Sequence, residues 1–383
     1  MNKSRSFARI FVCFALVFSM LFSMFSISQA ASYTVTLKPL RTSTRTSLTL
    51  TPHEHTVTVK LSDGISGSSC KSKPSWVTVT KNSSTYTVKV TPNNSTSDHK
   101  GSVTFTKGTN TYELYIVQTP FVVKNSNGSV VSELSFGYAG DTKSITVSQV
   151  CTISGAVPSW LKMTKATSGN KYTITASKND NGSPRSWTFT FTYTTTDNGY
   201  NKIQRTLTIK QQGNIVAAAR GQIGAKNGNT YTDWYYGTGN YRGTAWCACF
   251  ASYCANIAGL NDGIHMTKSD TCYVLMEDFF QKKSGKWLSY SNTTIPQLGS
   301  LVFFDWKRDY DGSNKRTKPG VADHVGIVSG VNKDSSGNIK GIYVVEGNRT
   351  NNNSKGVWEI YYDLSTAELR KEHHYILGYG KVY

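Results

Sequence analysis

The chain has 383 residues, a formal net charge of +19 and seven cysteines. Because ordinary domains contain roughly 100 to 200 residues, this length excludes a single small domain and predicts two or three domains. Four of the cysteines lie between positions 247 and 272, which is not the spacing of a disulfide-stapled scaffold. The composition therefore allows a catalytic thiol.

The first thirty residues have the three parts of a secretory signal. Lys3, Arg5 and Arg9 precede an apolar run from Ile10 to Phe25, and small residues surround Ala30. A membrane anchor is the alternative, but a run of about sixteen residues is shorter than the roughly twenty that span a bilayer. We expect cleavage near Ala30 and a secreted mature protein, either extracellular or associated with the cell wall.

The region after the signal has the pattern of antiparallel β-sheets. Apolar and polar residues alternate in short runs such as Thr56–Leu61, and turn-rich gaps separate these runs. The run PSWVTVT at Pro74 returns as PSWLKMT at Pro158, so one module occurs twice. We predict two all-β, immunoglobulin-like sandwiches. Their predicted bounds are residues 31–120 and 121–213.

Positive charge is concentrated in these β modules. Residues 31–213 contain 20 Lys and Arg against 8 Asp and Glu, whereas residues 214–383 contain 19 against 15. The net charge is therefore +12 in residues 31–213 and +4 in residues 214–383, and a strongly positive surface attracts polyanions. An exported protein meets anionic wall polymers and acidic glycans before it meets nucleic acid. We predict wall polymers or glycans as partners and no nucleic acid, with a merely solvated basic surface as the alternative.

The repeated Pro-Ser-Trp, the alternating strand after it and the closing strands that end at Gln118 and Gln211 resemble BACON modules. The resemblance implies immunoglobulin-like sandwiches that bind carbohydrate and precede the catalytic domains of secreted bacterial enzymes. Trp76 and Trp160 are the candidates for stacking on sugars, and a place in the sandwich core is the alternative for both.

The composition changes near Asn214, where a third domain is predicted to begin. The helical run NIVAAARGQIGA is followed by a loop rich in Gly, Asn and Tyr, and then by TAWCACFASYCANIAG, a short Ala-rich helix that ends at Gly259. Cys247 lies in the first turn, where unpaired N–H groups and the helix dipole favour the thiolate, so it is the candidate nucleophile. We expect Cys249 and Cys254, deeper in the helix, to be structural.

A thiol nucleophile needs a base, and His324 opens an apolar strand in the run ADHVGIVSGV. An orienting acceptor is expected in GIYVVEGNRT, where the period of two places Glu346 and Asn348 on one face of a strand. Asp323 is the rival acceptor, but it directly precedes His324 and should face the opposite side. A satisfied edge histidine and a solvated glutamate are the alternatives for His324 and Glu346.

Five ordered segments within residues 214–383 resemble the CHAP domain: Trp-Cys-Ala, Pro-x-x-Gly-x-x-Val-Phe-Phe, Asp-His-Val-Gly-Ile-Val, Val-Glu-Gly-Asn and a final Gly-Tyr-Gly. The resemblance implies an α+β, papain-like fold of the NlpC/P60 type. It also implies cleavage of an amide bond in peptidoglycan, by an N-acetylmuramoyl-L-alanine amidase or a peptide-bridge endopeptidase.

The same resemblance implies roles for four residues, with Cys247 as nucleophile, His324 as base, Glu346 as orienter and Asn348 as a supporting polar group. Some CHAP domains bind calcium in an acidic loop before the cysteine, but here that loop holds only Asp233. The cysteine spacing also fits no common zinc pattern. We therefore expect neither a metal nor another cofactor.

Two other functions are compatible with this sequence. One is a non-catalytic, glycan-binding surface protein, and the other is a papain-like transamidase or deamidase that acts on protein. The Gly- and Asn-rich loops contain no pattern that distinguishes the muramoyl amide from a stem-peptide bond.

Overall fold

The structure, a computed structural model, describes residues 33–41, 44–194, 202–240, 245–291, 293–306, 320–365 and 376–383. The secretory signal predicted at residues 1–30 lies outside the described residues. Within these ranges the chain forms five sheets and few helices. No helix in the described part of the chain is long and apolar enough to cross a membrane.

The first module consists of two four-stranded sheets that share one core. In strand β3, His55–Leu61, Val57 and Val59 are fully buried whereas Thr56 and Lys60 are exposed, as the period of two requires. One sheet has the order β1-β3-β6-β5, formed by Tyr33–Leu37, His55–Leu61, Tyr86–Val90 and Val77–Lys81. The other has the order β2-β8-β7-β4, formed by Thr46–Leu50, Asn110–Gln118, His99–Lys107 and Ser68–Ser72.

The second module repeats this arrangement. One sheet has the order β13-β14-β11-β9, formed by Leu161–Lys165, Lys171–Ala176, Asp141–Val147 and Val123–Asn125. The other has the order β10-β16-β15-β12, formed by Glu133–Phe136, Lys202–Gln211, Arg185–Thr194 and Thr152–Ser154. Read from its other end, as β9-β11-β14-β13, the first of these sheets matches the order β1-β3-β6-β5 of the first module strand by strand, and the second sheet matches β2-β8-β7-β4. One edge differs, because β1 runs parallel to β3 whereas β9 runs antiparallel to β11.

The two tryptophans of the repeated Pro-Ser-Trp are half-buried against their module cores and have partners within the chain. Trp76 stacks on His99 with ring centroids 5.2 Å apart, and the Arg185 guanidinium lies 4.5 Å from the centroid of the Trp160 ring. One aromatic face of each ring is therefore already in contact with a neighbouring side chain.

The C-terminal region combines short helices with one six-stranded antiparallel sheet. The helices are α1 (Ile215–Arg220), α2 (Asn229–Tyr236), α3 (Cys247–Ile257) and a π-helix at Val274–Lys283. The sheet order is β17-β22-β18-β19-β20-β21. These strands are Trp287–Ser289 (β17), Leu301–Phe304 (β18), His324–Lys333 (β19), Ile339–Asn351 (β20), Ser354–Asp363 (β21) and Ile376–Gly380 (β22).

Helix α3 lies directly on strands β19 and β20, and a glycine allows this close approach. A Cβ atom on Gly347 would lie 2.5 Å from Phe250 and 2.8 Å from the Trp246 ring, well inside van der Waals contact. The start of α3 is thereby held against the part of the sheet that carries Glu346. The mostly β architecture agrees with the sequence prediction, and the papain-like fold and the domain bounds stay predictions.

Candidate active site

The candidate nucleophile lies at the first residue of helix α3. The side chain of Cys247 is buried, and Trp246 forms the N-cap without a side-chain hydrogen bond to the helix. Trp246 is itself fixed by stacking on Tyr231, with ring centroids 5.2 Å apart. The first turn of α3 contains no acidic residue, so the positive end of the helix dipole is not neutralised there.

His324 and Glu346 form a buried hydrogen-bonded pair. They lie on the adjacent strands β19 and β20, and Nε2 of His324 is 2.7 Å from Oε2 of Glu346. Because this carboxylate holds Nε2, Nδ1 is the ring nitrogen that remains for a second partner. Burial alone would lower the pKa of His324, but the Cys247 sulfur and the Glu346 carboxylate raise it to about 9.

Glu346 is held from its other side by a tyrosine of strand β21. The hydroxyl of Tyr362 donates a hydrogen bond to Oε1 of Glu346 at 2.6 Å, and both side chains are buried. Nε of Arg349 lies 4.0 Å from Oε2 of the same carboxylate. A buried carboxylate is costly unless its oxygens are paired, and here each oxygen accepts a hydrogen bond.

The imidazole of His324 is covered by the indole of Trp306. The two rings are stacked with centroids 3.7 Å apart, and the Arg349 guanidinium lies 4.7 Å from the Trp306 ring centroid. Asp323 supports this arrangement, because its Oδ1 accepts a hydrogen bond from the backbone N–H of Trp306 at 2.9 Å. Glu346 is thus the carboxylate hydrogen-bonded to the histidine ring, while the rival Asp323 contacts the backbone beside it.

A second cysteine lies next to the candidate nucleophile. The sulfur atoms of Cys247 and Cys272 are 3.5 Å apart, which is a hydrogen-bond distance for thiols and not a covalent bond. The hydrogen bond from Cys272, followed by the charge of His324, holds the pKa of Cys247 well below its usual range although burial acts in the opposite direction. The same bond and burial raise the pKa of Cys272. Both directions favour Cys247 as the thiolate of the pair.

The remaining cysteines of α3 have no such activation. Cys249 and Cys254 are both buried, and burial raises the pKa of Cys249 to about 12 and that of Cys254 well above its usual value. At neutral pH both are thiols in the helix core.

Asn348 does not occupy the position that alternation predicts. A β-bulge interrupts strand β20 between Glu346 and Arg349, and Asn348 adopts a left-handed backbone with φ of 62°. Within the described part of the chain its buried Oδ1 has no hydrogen-bond partner. The bulge adds a residue on this strand, so the regular period of two that placed Asn348 on the face of Glu346 is interrupted before Asn348, and its supporting role stays a prediction.

An open cavity of about 400 Å³ leads from the surface to the two sulfur atoms. It is lined by Tyr236, Ala245, Cys247, Asp270, Thr271, Cys272, Ala322 and Asp323. A second cavity, of about 430 Å³, lies between the two β modules around Pro120 and contains neither a cysteine nor a histidine. Of these two cavities, the one at Cys247 is the one that is lined by thiols.

The described residues contain no group of three or more His, Cys, Asp and Glu side chains placed to hold a metal ion. Asp233, which the sequence placed in a loop before Cys247, lies in helix α2 and accepts a hydrogen bond from the backbone N–H of Gly239 at 3.3 Å.

Sequence reasoning did not identify Cys272, Tyr362 and Trp306 as members of this site. Cys272 is separated from Cys247 by a loop without a recognisable pattern, and Tyr362 lies in a strand of mixed polarity. Only the pairing of β20 with β21 brings Tyr362 to Glu346.

Comparison with known families gives two matches. A model described as "CHAP domain" matches residues 236–348, and the BACON model, described as "Putative binding domain, N-terminal", matches residues 66–119. The predicted resemblance to a CHAP domain preceded by a BACON domain is thereby confirmed, with the BACON match in the first module. No curated protein matches the sequence.

Among solved structures, an endo-fucoidan hydrolase of glycoside hydrolase family 107 is similar over 48% of this chain and 30% of its own, at 16% identity and a TM-score of 0.20. A tandem from titin is similar over 46% of this chain and 65% of its own, at 14% identity and a TM-score of 0.25. This chain thus spans less than a third of the length of the endo-fucoidan hydrolase.

Proposed function

The chain carries a CHAP domain preceded by a BACON domain, and from that premise we propose that it is a secreted cysteine hydrolase of peptidoglycan. A CHAP domain supports a peptidoglycan hydrolase or amidase-like activity. The observation that carries the finer proposal is the pair of His324 and Glu346, 2.7 Å apart, beside the thiol at the start of α3. These residues supply nucleophile, base and orienter in one buried cluster.

The chemistry is acyl transfer from an amide to a thiol. The Cys247 thiolate attacks the amide carbonyl, and the backbone N–H groups at the start of α3 are the donors available for the oxyanion. His324, charged as an imidazolium, gives its proton to the leaving amine from Nδ1. Glu346 keeps the ring in place through Nε2, and water, activated by the then neutral imidazole, hydrolyses the thioester.

The bond cleaved is the muramoyl–alanine amide or a peptide bond of the stem or bridge, since both present an amide carbonyl to the thiol. In this proposal the basic β modules, with 20 Lys and Arg against 8 Asp and Glu in residues 31–213, keep the enzyme on anionic wall polymers or glycans. No step requires a metal ion.

The deciding experiment is digestion of purified sacculi by the mature chain, with newly released amino groups and the masses of the products as readouts. Wild type should release amino groups, and Cys247→Ala should release none while unfolding at a similar temperature. Cys249→Ala is the matched control, because it removes a thiol that burial keeps protonated, and it should retain activity.

The products identify the bond, since a muramoyl amidase frees the amino group of alanine and an endopeptidase frees that of a residue within the peptide. Binding of sacculi without any release of amino groups would replace the proposal by that of a glycan-binding surface protein. Activity of Cys247→Ala equal to that of wild type would overturn the choice of nucleophile.

A further inference from the structure

The contact between Cys247 and Cys272 is built into the fold. Cys272 lies two residues before the π-helix and follows a segment that is tied to helix α3 itself. Ser252 of α3 donates a hydrogen bond to the carbonyl of Ser269 at 2.7 Å and accepts one from the Ser269 N–H at 3.0 Å. The helix that carries Cys247 therefore also fixes the segment that carries Cys272.

The same segment is tied to helix α2. The hydroxyl of Tyr236 donates a hydrogen bond to Oδ2 of Asp270 at 2.5 Å. With anchors on both sides, the two sulfur atoms are held 3.5 Å apart at the inner end of one cavity that opens to solvent. A small oxidant can reach them through this cavity.

The two thiols have different chemical characters, which suits them to consecutive steps of one oxidation. Cys247 lies at the start of α3 and has a lowered pKa, which favours the thiolate, the sulfur species that reacts with a peroxide. Cys272 stays protonated beside it and can attack an oxidised sulfur. The other two cysteines of α3, Cys249 and Cys254, are buried thiols whose pKa values are raised.

We propose that Cys247 and Cys272 are a modification site, at which a hydroperoxide converts the nucleophile into an intramolecular disulfide that reversibly stops hydrolysis. The proposal rests on the proposed function only in treating Cys247 as the nucleophile. Closing the disulfide requires the sulfur atoms to approach by about 1.5 Å, to the usual S–S length.

The reaction is balanced in two steps. The Cys247 thiolate attacks the terminal peroxide oxygen, so an S–O bond forms and the O–O bond breaks. Hydroxide leaves when the oxidant is hydrogen peroxide, and an alkoxide leaves when it is an organic hydroperoxide. Two electrons pass from sulfur to the peroxide, giving a sulfenic acid. The Cys272 sulfur then attacks that sulfenic sulfur, an S–S bond forms, the S–O bond breaks, and the departing hydroxide takes the Cys272 proton as water. An external thiol reduces the disulfide and restores both residues.

This site also protects the nucleophile. A sulfenic acid without a neighbouring thiol is oxidised further to the sulfinic acid, which thiol reductants do not reverse. Cys272 competes with that second oxidation because it is already in contact with Cys247. Removal of the Cys272 thiol should therefore convert a reversible inactivation into an irreversible one.

The test compares the reduced full mature chain with Cys272→Ser and Cys249→Ser after exposure to hydrogen peroxide and then to dithiothreitol. Each protein is compared with its own untreated rate on sacculi, and its intact mass and peptide map are measured at each stage. After hydrogen peroxide, wild type and Cys249→Ser should each lose the mass of two hydrogens and yield a peptide cross-linked between positions 247 and 272. Their activity should fall with this oxidation and return with dithiothreitol. Cys272→Ser should gain oxygen on Cys247 and stay inactive.

Sulfinic acid on Cys247 of the wild type without a cross-link to Cys272, or a cross-link to Cys249 instead, would overturn the proposal. Equal recovery of Cys272→Ser and wild type would also overturn it. Failure of the proposed function is distinguishable, because the cross-linked peptide forms or does not form whether or not the reduced protein hydrolyses sacculi.

Discussion

Oε2 of Glu346 lies 2.7 Å from Nε2 of His324, and both side chains are buried on adjacent strands of the same sheet. The contact fixes the orientation of the imidazole and favours the form of the ring that carries a proton on Nε2. With Nε2 held in this way, Nδ1 is the ring nitrogen that the proposed mechanism uses for proton transfer. If that mechanism holds, the position of the carboxylate determines how well His324 works as a base.

The first prediction concerns this carboxylate. Glu346→Gln keeps the shape of the side chain but removes the charge that stabilises the imidazolium, so kcat/KM on soluble muropeptides should fall by about 10²-fold or more. Nucleophile and base remain, so activity should be weakened and not abolished. The measurement is the initial rate at neutral pH, with the unfolding temperature as a check of the fold.

Asp323→Asn is the matched control for Glu346→Gln. The amide oxygen of asparagine can still accept the hydrogen bond from the Trp306 N–H that Asp323 accepts at 2.9 Å. Its rate should therefore stay close to that of wild type. The opposite pattern, with a large loss in Asp323→Asn and none in Glu346→Gln, would transfer the orienting role to Asp323.

The second prediction concerns Tyr362 as a positioning residue. Tyr362→Phe removes the hydrogen bond to Oε1 of Glu346 and leaves a buried carboxylate oxygen unpaired, which should cost about 1 to 3 kcal/mol of unfolding free energy. It should also lower kcat/KM, because Glu346 then holds His324 less firmly. Urea unfolding and the pH dependence of kcat/KM measure the two effects separately.

Tyr379→Phe provides the comparison within the same sheet. Tyr379 is fully buried in strand β22, and its hydroxyl has no hydrogen-bond partner in the described ranges. Its removal should change neither the pH profile nor kcat/KM. If both variants shifted the pH profile equally, a specific role of Tyr362 at Glu346 would be refuted.

The third prediction is the pH profile itself. The pKa of Cys247 is held low and that of His324 is raised to about 9, so thiolate and imidazolium coexist between the two values. Activity should fall above about pH 9, where the imidazolium that protonates the leaving amine is lost, and fall in acid, where the thiolate is protonated. The two apparent values belong to the pair and not to either residue alone.

The basic limb is the more informative half of this profile. Because Glu346 stabilises the imidazolium, Glu346→Gln should move the basic limb to lower pH, whereas Asp323→Asn should leave it in place. A basic limb of the wild type at the ordinary histidine value of about 6.5 would contradict the ion pair between Cys247 and His324.

Much of the site was predictable from the sequence, because three of its residues occur within short segments. Cys247 begins a helix, His324 begins a strand and Glu346 lies in the next strand, so local patterns were sufficient to identify them. Cys272 and Tyr362 reach the site only through tertiary packing and strand pairing. Neither has a local pattern that distinguishes it from other cysteines and tyrosines.

Two local features also limited the prediction. The bulge after Glu346 could not be foreseen, since a period of two assumes a regular strand. The run NIVAAARGQIGA was expected to be helical, yet α1 ends at Arg220, and Ile223 is exposed. The strand pattern of both sandwiches was strong by contrast, because each strand buries one face and exposes the other.

The fourth prediction concerns wall binding through the basic modules. The full-length Cys247→Ala protein should sediment with purified walls, and the bound fraction should fall as salt rises from about 0.05 to about 0.5 M, because salt screens exposed charges. Exchanging the exposed Lys71 and Lys162 for Gln should weaken binding further at low salt.

The matched control replaces Lys333 and Lys340 by Gln. These two lysines are exposed in the C-terminal region, so the variant loses the same two positive charges outside the β modules. It should leave the bound fraction almost unchanged. Binding that does not respond to salt would favour stacking of sugars on Trp side chains over charge, and absence of sedimentation at every salt concentration would show that the sandwiches act only as spacers.

The fifth prediction concerns a buried histidine pair at the junction of the two sandwiches. The rings of His53 and His55 lie 4.1 Å apart, and both bond to the Thr51 hydroxyl, at 2.8 and 3.1 Å. Tyr193, from the second module, places its hydroxyl 3.3 Å from Nδ1 of His53. Burial, followed by the neighbouring His53, lowers the pKa of His55 to about 4.

The sign of the pH effect follows from this lowered pKa. In the unfolded chain His55 takes up a proton near pH 6.5, whereas in the folded chain it does so only near pH 4, so stability is complete above about pH 6.5 and falls as the pH drops toward 4. The difference amounts to at most about 3 kcal/mol. The unfolding free energy, measured with urea from about pH 7 to about pH 4.5, should show this slope, and His55→Gln should flatten it.

His99→Gln, which alters a histidine stacked on Trp76 in the same module, should keep the wild-type slope. An unchanged slope in His55→Gln would show that another group causes the loss of stability in acid.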